Sequence, residues 1–194
     1  MRAPVYSIFA GINGSGKTAL YGVLKDGIDL GERVSIDDIV KSMGDWRDPL
    51  LQIKGARMAM KRLGELIDEG ETFHQETTLP GEAIVRFASR ARDRGYTIVL
   101  YYVGVDSLDI AIDRVHRRVE AGGHGISDSM IIKRFGEMQA CLCRLIPYCN
   151  EIYFYDNTKS FRQVAIVIEG ETVDADTDIP IWMSKLKESG AIYF

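Results

Sequence analysis

The sequence lacks any apolar segment that approaches the ~18 residues needed to span a membrane. It also lacks a basic excess, which is the usual sign of general nucleic-acid binding, because its 194 residues carry a net charge of −4. No secretion signal is visible before the first predicted strand. We therefore expect a cytoplasmic protein with no nucleic-acid or membrane partner, although a small anion could still bind in a local basic pocket.

Cysteine is scarce, and its placement argues against a zinc site. Only Cys141, Cys143 and Cys149 are present, an odd number within one short stretch. Their spacing does not match a zinc site, because there is no C-x₂-C pair and no histidine lies near in sequence. A reduced compartment is the simplest explanation for three free thiols.

Predicted strands and helices alternate along the whole chain, which is typical of a parallel α/β sheet. No internal repeat, low-complexity segment or linker divides it, so we predict one domain over residues 1–194. The predicted strands are 5–10, 32–36, 72–76, 96–103, 152–155 and 164–169. The predicted helices are 18–25, 54–69, 80–94, 108–121, about 128–145 and 179–187.

A glycine-rich segment, Gly11-Ile12-Asn13-Gly14-Ser15-Gly16-Lys17-Thr18, lies between the first strand and the first helix. Its glycines let backbone N–H groups converge on phosphate oxygens, and the helix N-terminus adds its positive dipole end. The pattern is typical of a Walker A loop, in which Lys17 contacts the β- and γ-phosphates and Thr18 contacts Mg²⁺. A flexible turn with a solvated lysine is the alternative. We predict that ATP or GTP binds here with Mg²⁺, through Gly11, Asn13, Gly14, Ser15, Gly16, Lys17 and Thr18.

Polar residues follow the carboxyl ends of other strands, where ligands bind in such sheets. We predict Asp37 as the general base that accepts a proton from an acceptor hydroxyl, with Asp38 as the second candidate. Either aspartate could instead cap the next helix. Glu76, Thr77 and Thr78 are predicted to hold the acceptor or a Mg²⁺-bound water, or else to cap the helix near Pro80.

A basic helix, followed by a glycine-rich break, is predicted to form a lid over about residues 114–134. Arg114 lies three and four residues before Arg117 and Arg118, so the three are predicted to share a face. Guanidinium groups stabilise the charge on a transferring phosphoryl group, so we predict Arg114 and Arg117 as catalytic residues. We predict that Arg118 contacts the nucleotide and that Arg134 contacts the substrate. A solvated basic face is the alternative.

Two further positions are predicted to lie near a bound nucleotide. His124, between glycines, is expected to contact a partner or a phosphate rather than a metal. Asn157, in the pair Asp156-Asn157 after the fifth strand, is expected to border the adenine, although an Asx turn would explain the pair equally well.

In this order, the segments resemble the zeta toxin family of P-loop kinases. The resemblance spans about residues 5–158 and depends on the Walker A loop, the strand ending in Asp37, Glu76-Thr77-Thr78, and the arginine helix before Gly122-Gly123-His124. It implies a three-layer P-loop nucleoside-triphosphate hydrolase/kinase fold. The implied sheet is mostly parallel with five or six strands, and a helical lid lies beside it.

The resemblance also implies an activity. Characterised members are cytoplasmic bacterial enzymes that use ATP or GTP to phosphorylate the 3′-hydroxyl of UDP-N-acetylglucosamine, and a small helical antitoxin blocks their nucleotide site. It implies that Asp37 is the base, that Glu76 and Thr78 contact the acceptor sugar, and that Arg114 is the transition-state arginine. This chain departs from larger toxins in having Leu79-Pro80 where they carry an arginine; its nearest arginine is Arg86. A housekeeping small-molecule or nucleotide kinase and an ATP-binding switch remain alternatives.

Overall fold

The described residues form seven strands and seven α-helices. The structure, a computed structural model, describes residues 3–45, 47–123 and 125–192. Its strands are β1 Val5–Ala10, β2 Glu32–Val34, β3 Phe73–Thr77, β4 Thr97–Gly104, β5 Glu151–Asp156, β6 Arg162–Ile168 and β7 Glu171–Ala175. Its α-helices are α1 Lys17–Leu24, α2 Ile36–Met43, α3 Pro49–Glu69, α4 Ala83–Asp93, α5 Leu108–Glu120, α6 Asp128–Leu145 and α7 Ile181–Glu188. None of the described helices combines the length and apolar character that a membrane crossing requires.

Within the described residues the strands form one sheet in the order β2-β3-β1-β4-β5-β6-β7. The first five in that order pair in parallel, and β6 and β7 add two antiparallel strands at one edge. The predicted parallel α/β fold is confirmed, but the sheet exceeds the predicted five or six strands. The sequence does not reveal β7 because an exposed edge strand buries few apolar side chains and shows no apolar run.

Helices cover the two faces of this sheet unequally. On one face, α3, α4, α5, α6 and α7 pack their buried residues onto the sheet in a single large core. On the other face, among the described residues, α1 is the helix that covers the sheet, with Leu20 buried against Phe9 and Tyr101. The third layer of the predicted three-layer fold is therefore this one short helix.

The cap of α2 decides where two predicted site residues lie. The Ser35 hydroxyl accepts a hydrogen bond from the backbone N–H of Asp38 at 3.2 Å, so Ser35 is the N-cap. The alternative that Asp37 or Asp38 caps this helix is therefore wrong. Both carboxylates lie in the first turn, where the helix dipole favours negative charge, and both are exposed.

Candidate active site

The glycine-rich loop has a fixed shape that glycine alone can adopt. It leaves the central strand β1 at Gly11, where φ is 146°, and enters α1 at Gly16, where φ is 109°. A Cβ atom on Gly11 would lie 2.3 Å from the carbonyl oxygen of Val103, and one on Gly16 would lie 2.6 Å from the Asn157 amide nitrogen. The packing on both sides argues against a flexible turn.

Side-chain hydrogen bonds to backbone carbonyls stabilise the same loop. Asn157 donates from its side-chain amide to the Ser15 carbonyl at 2.7 Å, and Lys17 donates from Nζ to the Ile12 carbonyl at 3.0 Å. Asp156 forms the Asx turn, with its Oδ1 accepting from the backbone N–H of Thr158 at 3.3 Å. The amide nitrogen of Asn157 therefore holds the phosphate loop, and the contact of Asn157 with the adenine stays a prediction.

A cleft of about 460 Å³ opens beside the loop at the carboxyl ends of the strands. Most of the predicted site residues line it, namely Asn13, Gly14, Gly16, Lys17, Thr18, Asp37, Glu76, Thr77, Thr78, Arg114, Arg118 and Arg134. The predicted residues outside the lining are Gly11, Ser15, Arg117 and Asn157. His124 lies outside the described residues.

Thr18 and Glu76 meet in this cleft. The Thr18 hydroxyl lies 3.1 Å from each carboxylate oxygen of Glu76 and donates to them. Glu76 does not cap the next helix, because α4 begins at Ala83 and its N-cap, Glu82, makes no capping bond through its side chain.

The oxygen atoms of Thr18 and Glu76 fit Mg²⁺ that arrives with a nucleotide. Mg²⁺ prefers oxygen ligands and is usually held by one or two carboxylates together with phosphates and water. Among the described residues, no group of three or more His, Cys, Asp or Glu side chains could hold a metal alone. The cleft therefore offers part of a coordination sphere, and phosphate oxygens would supply more of it.

Lys17 is buried at the base of the cleft, with 6% of its surface exposed. Burial lowers the pKa of its ammonium group to about 8, although the nearby carboxylates of Glu76 and Asp37 act in the opposite direction. Arg118 and Arg134 lower this pKa further through charge repulsion. An anionic ligand would relieve that repulsion, so the site favours bound phosphate.

Nucleotide binding is expected to weaken as the pH rises through about 8, where unliganded Lys17 loses its charge. At pH 9 roughly one molecule in ten keeps the ammonium form, so the Kd should rise by up to about tenfold between pH 7 and pH 9. Isothermal titration with ATP across this range measures the effect. Lys17→Arg stays charged and should flatten the profile, whereas a flat wild-type profile would contradict the assignment of Lys17.

Asp37 and Asp38 differ in their surroundings. Asp38 pairs with Arg33, the two side chains being 3.3 Å apart, whereas Asp37 has no ion pair among the described residues. The Asp37 carboxylate also raises the pKa of both Lys17 and Arg134, which places it near the phosphate loop. This geometry favours Asp37 as the base, which stays a prediction.

The arginines of α5 point in two directions. Arg114 lines the cleft and donates to the Thr158 carbonyl at 3.4 Å, while its buried Nη1 has no partner among the described residues. Arg118 also lines the cleft. Arg117 lies outside it, 75% exposed and paired with Asp113 at 3.0 Å. The prediction that all three share one face is wrong. Around the helix axis, Arg118 is rotated by about 40° from Arg114, whereas Arg117 is rotated by about 60° in the opposite direction. Arg117 and Arg118 therefore point about 100° apart.

Arg134, predicted as a substrate contact, lies beside the phosphate loop. It donates from Nη1 to the side-chain oxygen of Asn13 at 3.1 Å. Burial lowers the pKa of its guanidinium, and Asp37 opposes that shift. The structure therefore places Arg134 against the phosphate loop, and its contact with the substrate stays a prediction.

The turn after β3 uses one predicted residue for its own structure. The Thr77 hydroxyl accepts a hydrogen bond from the backbone N–H of Leu79 at 3.0 Å, and Leu79 has a φ of 55°. Thr78 also lines the cleft, but its hydroxyl is not the acceptor of this hydrogen bond.

Sequence reasoning did not identify Arg33, which also lines the cleft. It lies 3.3 Å from Asp38 and 3.7 Å from Glu76, and its guanidinium stacks 4.8 Å above the Tyr21 ring. The signal that could have found it is a basic residue near the carboxyl end of a short strand, the position where ligands bind.

The sheet order and the glycine-rich loop together define the chain as a protein with the P-loop kinase fold. No protein-family model matches the chain. An uncharacterized protein of Haemophilus influenzae Rd is 28% identical over 127 residues, which cover 66% of this chain and 89% of that protein.

Solved structures show the fold more fully. Crystal structures of AvrRxo1-ORF1:AvrRxo1-ORF2, with sulphate ions and with ATP, align with a TM-score of 0.70 and 18% identity over 97% of this chain. The chain spans 64% of the length of that relative. The PezAT toxin-antitoxin system of Streptococcus pneumoniae aligns with a TM-score of 0.62 and 14% identity, over 98% of this chain and 85% of the other. The predicted P-loop fold, and the resemblance in fold to zeta toxins, are confirmed.

Proposed function

We propose that the chain is an ATP-dependent phosphotransferase that transfers a γ-phosphoryl group to a hydroxyl of a small acceptor. The observation that carries this proposal is a cleft lined by both Lys17 and Asp37, whose carboxylate has no ion pair among the residues that the structure describes. A kinase needs a cation for the phosphates and a base for the acceptor, whereas a nucleotide switch needs no acceptor base. A structure of similar fold was solved with ATP, which supports ATP as the donor.

Each cleft residue has a role in this reaction. Lys17 and Arg118 hold the phosphates, and Nη1 of Arg114, which has no hydrogen-bond partner in the described part of the chain, stabilises the negative charge that develops on the transferring group. Mg²⁺, held by Thr18 and Glu76, would neutralise part of the phosphate charge. Asp37 takes the hydroxyl proton as the acceptor oxygen bonds to the γ-phosphorus. The bond from that phosphorus to the β–γ bridging oxygen then breaks, and the nucleoside diphosphate leaves.

We further propose that residues 114–134 act as the lid predicted from the sequence. The helices α5 and α6 carry Arg114, Arg118 and Arg134 to one side of the cleft. His116 and Asp128, 2.8 Å apart, connect the two helices across the intervening loop. Small movements of this connected pair would bring the guanidinium groups onto bound phosphate together.

The acceptor implied by the resemblance, UDP-N-acetylglucosamine, is a compound to test directly. Leu79 and Pro80 occupy the turn where larger toxins carry an arginine, and Arg86 is exposed outside the cleft lining. The described cleft therefore offers no replacement for that contact from the turn after β3.

We also propose a small helical protein partner that covers the nucleotide site. PezAT is described as a toxin-antitoxin system, and the AvrRxo1 structures contain two components, ORF1 and ORF2. Such a partner would compete with ATP for the cleft.

The test incubates the chain with Mg²⁺, ATP and a bacterial metabolite extract, followed by mass spectrometry. At least one metabolite should gain one phosphate, in step with ADP formation, and Asp37→Asn should produce none. ADP formation without any phosphorylated metabolite would contradict the kinase and favour the hydrolysing switch.

A further inference from the structure

The cleft has two halves of opposite charge. Since β1 lies between β3 and β4 in the sheet, α2 and the ends of β2 and β3 line one half, and α5 and α6 line the other. The basic half, which includes the start of α1, has four cations and no acidic group among its described lining residues. These cations are Lys17, Arg114, Arg118 and Arg134.

The other half is acidic. Its described lining contains the carboxylates of Asp37, Asp38 and Glu76 and one cation, Arg33. That cation is already engaged, because Arg33 lies within 4 Å of both Asp38 and Glu76, at 3.3 and 3.7 Å. Carboxylates therefore exceed guanidinium groups by two in this half.

Bound Mg²⁺ would not reverse this balance. Mg²⁺ carries two positive charges, and the phosphate oxygens that complete its coordination would offset at least one of them, so within this half it would offset no more than the charge of Glu76. Asp37 and Asp38 would still outnumber Arg33. The positive groups that suit a triphosphate are thus separated from the place where the acceptor must lie to reach Asp37.

We propose that the acceptor is a small hydroxyl compound without net negative charge, such as a polyol, an unphosphorylated sugar or an amino alcohol. This inference rests on the proposed function, and the phosphoryl transfer step is the one described there. An acceptor with its own phosphate would place like charges side by side in the acidic half, which disfavours binding. Hydroxyl and ammonium groups, in contrast, donate hydrogen bonds to carboxylates. The inference excludes UDP-sugars and nucleotides as preferred acceptors.

The experiment separates a bacterial metabolite extract on a strong anion exchanger. The flow-through contains neutral and cationic compounds, and the retained fraction contains phosphates, nucleotides and UDP-sugars. Each fraction is incubated with the chain, Mg²⁺ and labelled ATP. We expect transfer with the flow-through to exceed transfer with the retained fraction by on the order of tenfold.

The outcomes distinguish the two proposals. Transfer confined to the retained fraction, or efficient transfer to UDP-N-acetylglucosamine offered alone, would overturn this inference and leave the proposed kinase intact. No transfer with either fraction or with the whole extract would contradict the proposed function and, with it, this inference.

A charge-reversal pair tests the acidic half itself. Asp38→Lys makes the numbers of acidic and basic groups in this half equal. The ratio of phosphate transfer with the retained fraction to transfer with the flow-through should therefore rise on the order of tenfold. Asp109→Lys is the matched control, because Asp109 is an exposed acid in the first turn of α5, outside the cleft lining. It should leave the ratio unchanged, with thermal unfolding showing that both variants fold. An unchanged ratio in folded Asp38→Lys would overturn the inference.

Discussion

Replacing Asp37 by Asn is expected to lower the rate of phosphate transfer by about 10²–10⁴-fold while ATP binding is nearly retained. Asn has almost the same shape as Asp but cannot accept the acceptor's proton. Asp37 is exposed in the cleft and has no ion pair among the described residues, so its loss disrupts no described ion pair. Single-turnover transfer and calorimetric titration with ATP measure the two quantities separately.

The neighbouring aspartate is the control for this prediction. Asp38→Asn makes the same chemical change one residue away, but Asp38 is paired with Arg33. We expect a smaller loss, below about tenfold, because a positioning role is weaker than proton transfer. If Asp38→Asn removed transfer while Asp37→Asn retained it, the two roles would be reversed. If both variants kept full activity, the reaction would need no carboxylate base from this helix.

The phosphate loop could be predicted from sequence because its signals are local. The strand β1, the glycine spacing and the start of α1 lie within twenty residues, and backbone conformations restrict Gly11 and Gly16 to glycine. The same holds for α5, whose N-cap Ser107 accepts a hydrogen bond through its hydroxyl from the Ile110 N–H at 3.3 Å. Short-range chemistry determines these features.

The parts that could not be predicted depend on contacts between distant segments or on backbone angles. Ser35 and Asp37 are both good capping residues, and only the extended backbone of Ser35 decides between them. Arg33 is placed in the cleft beside Glu76, a residue forty-three positions further along the chain. Asn157 supports a loop more than a hundred residues earlier in the chain. No local pattern contains such information.

Arg114→Gln is expected to lower the rate of phosphate transfer by about 10²–10³-fold, with a smaller effect on ATP binding. The buried Nη1 of Arg114 has no partner among the described residues and lines the cleft, so it can bind charge that appears only during transfer. Arg114→Lys keeps the charge but not the planar fork, so it should recover only part of the rate. Transfer rates at saturating ATP measure the effect.

Arg117→Gln is the matched control, because it removes the same group three residues along the same helix. Arg117 is exposed and paired with Asp113, and an exposed i,i+4 pair contributes little to stability, so its loss should change the rate less than about twofold. Equal losses in both variants would mean that the basic face acts through its overall charge. Full activity in Arg114→Gln would remove the transition-state role from Arg114, and Arg118 on the same helix and Arg134 on α6 would be the remaining arginines of the basic half able to supply it.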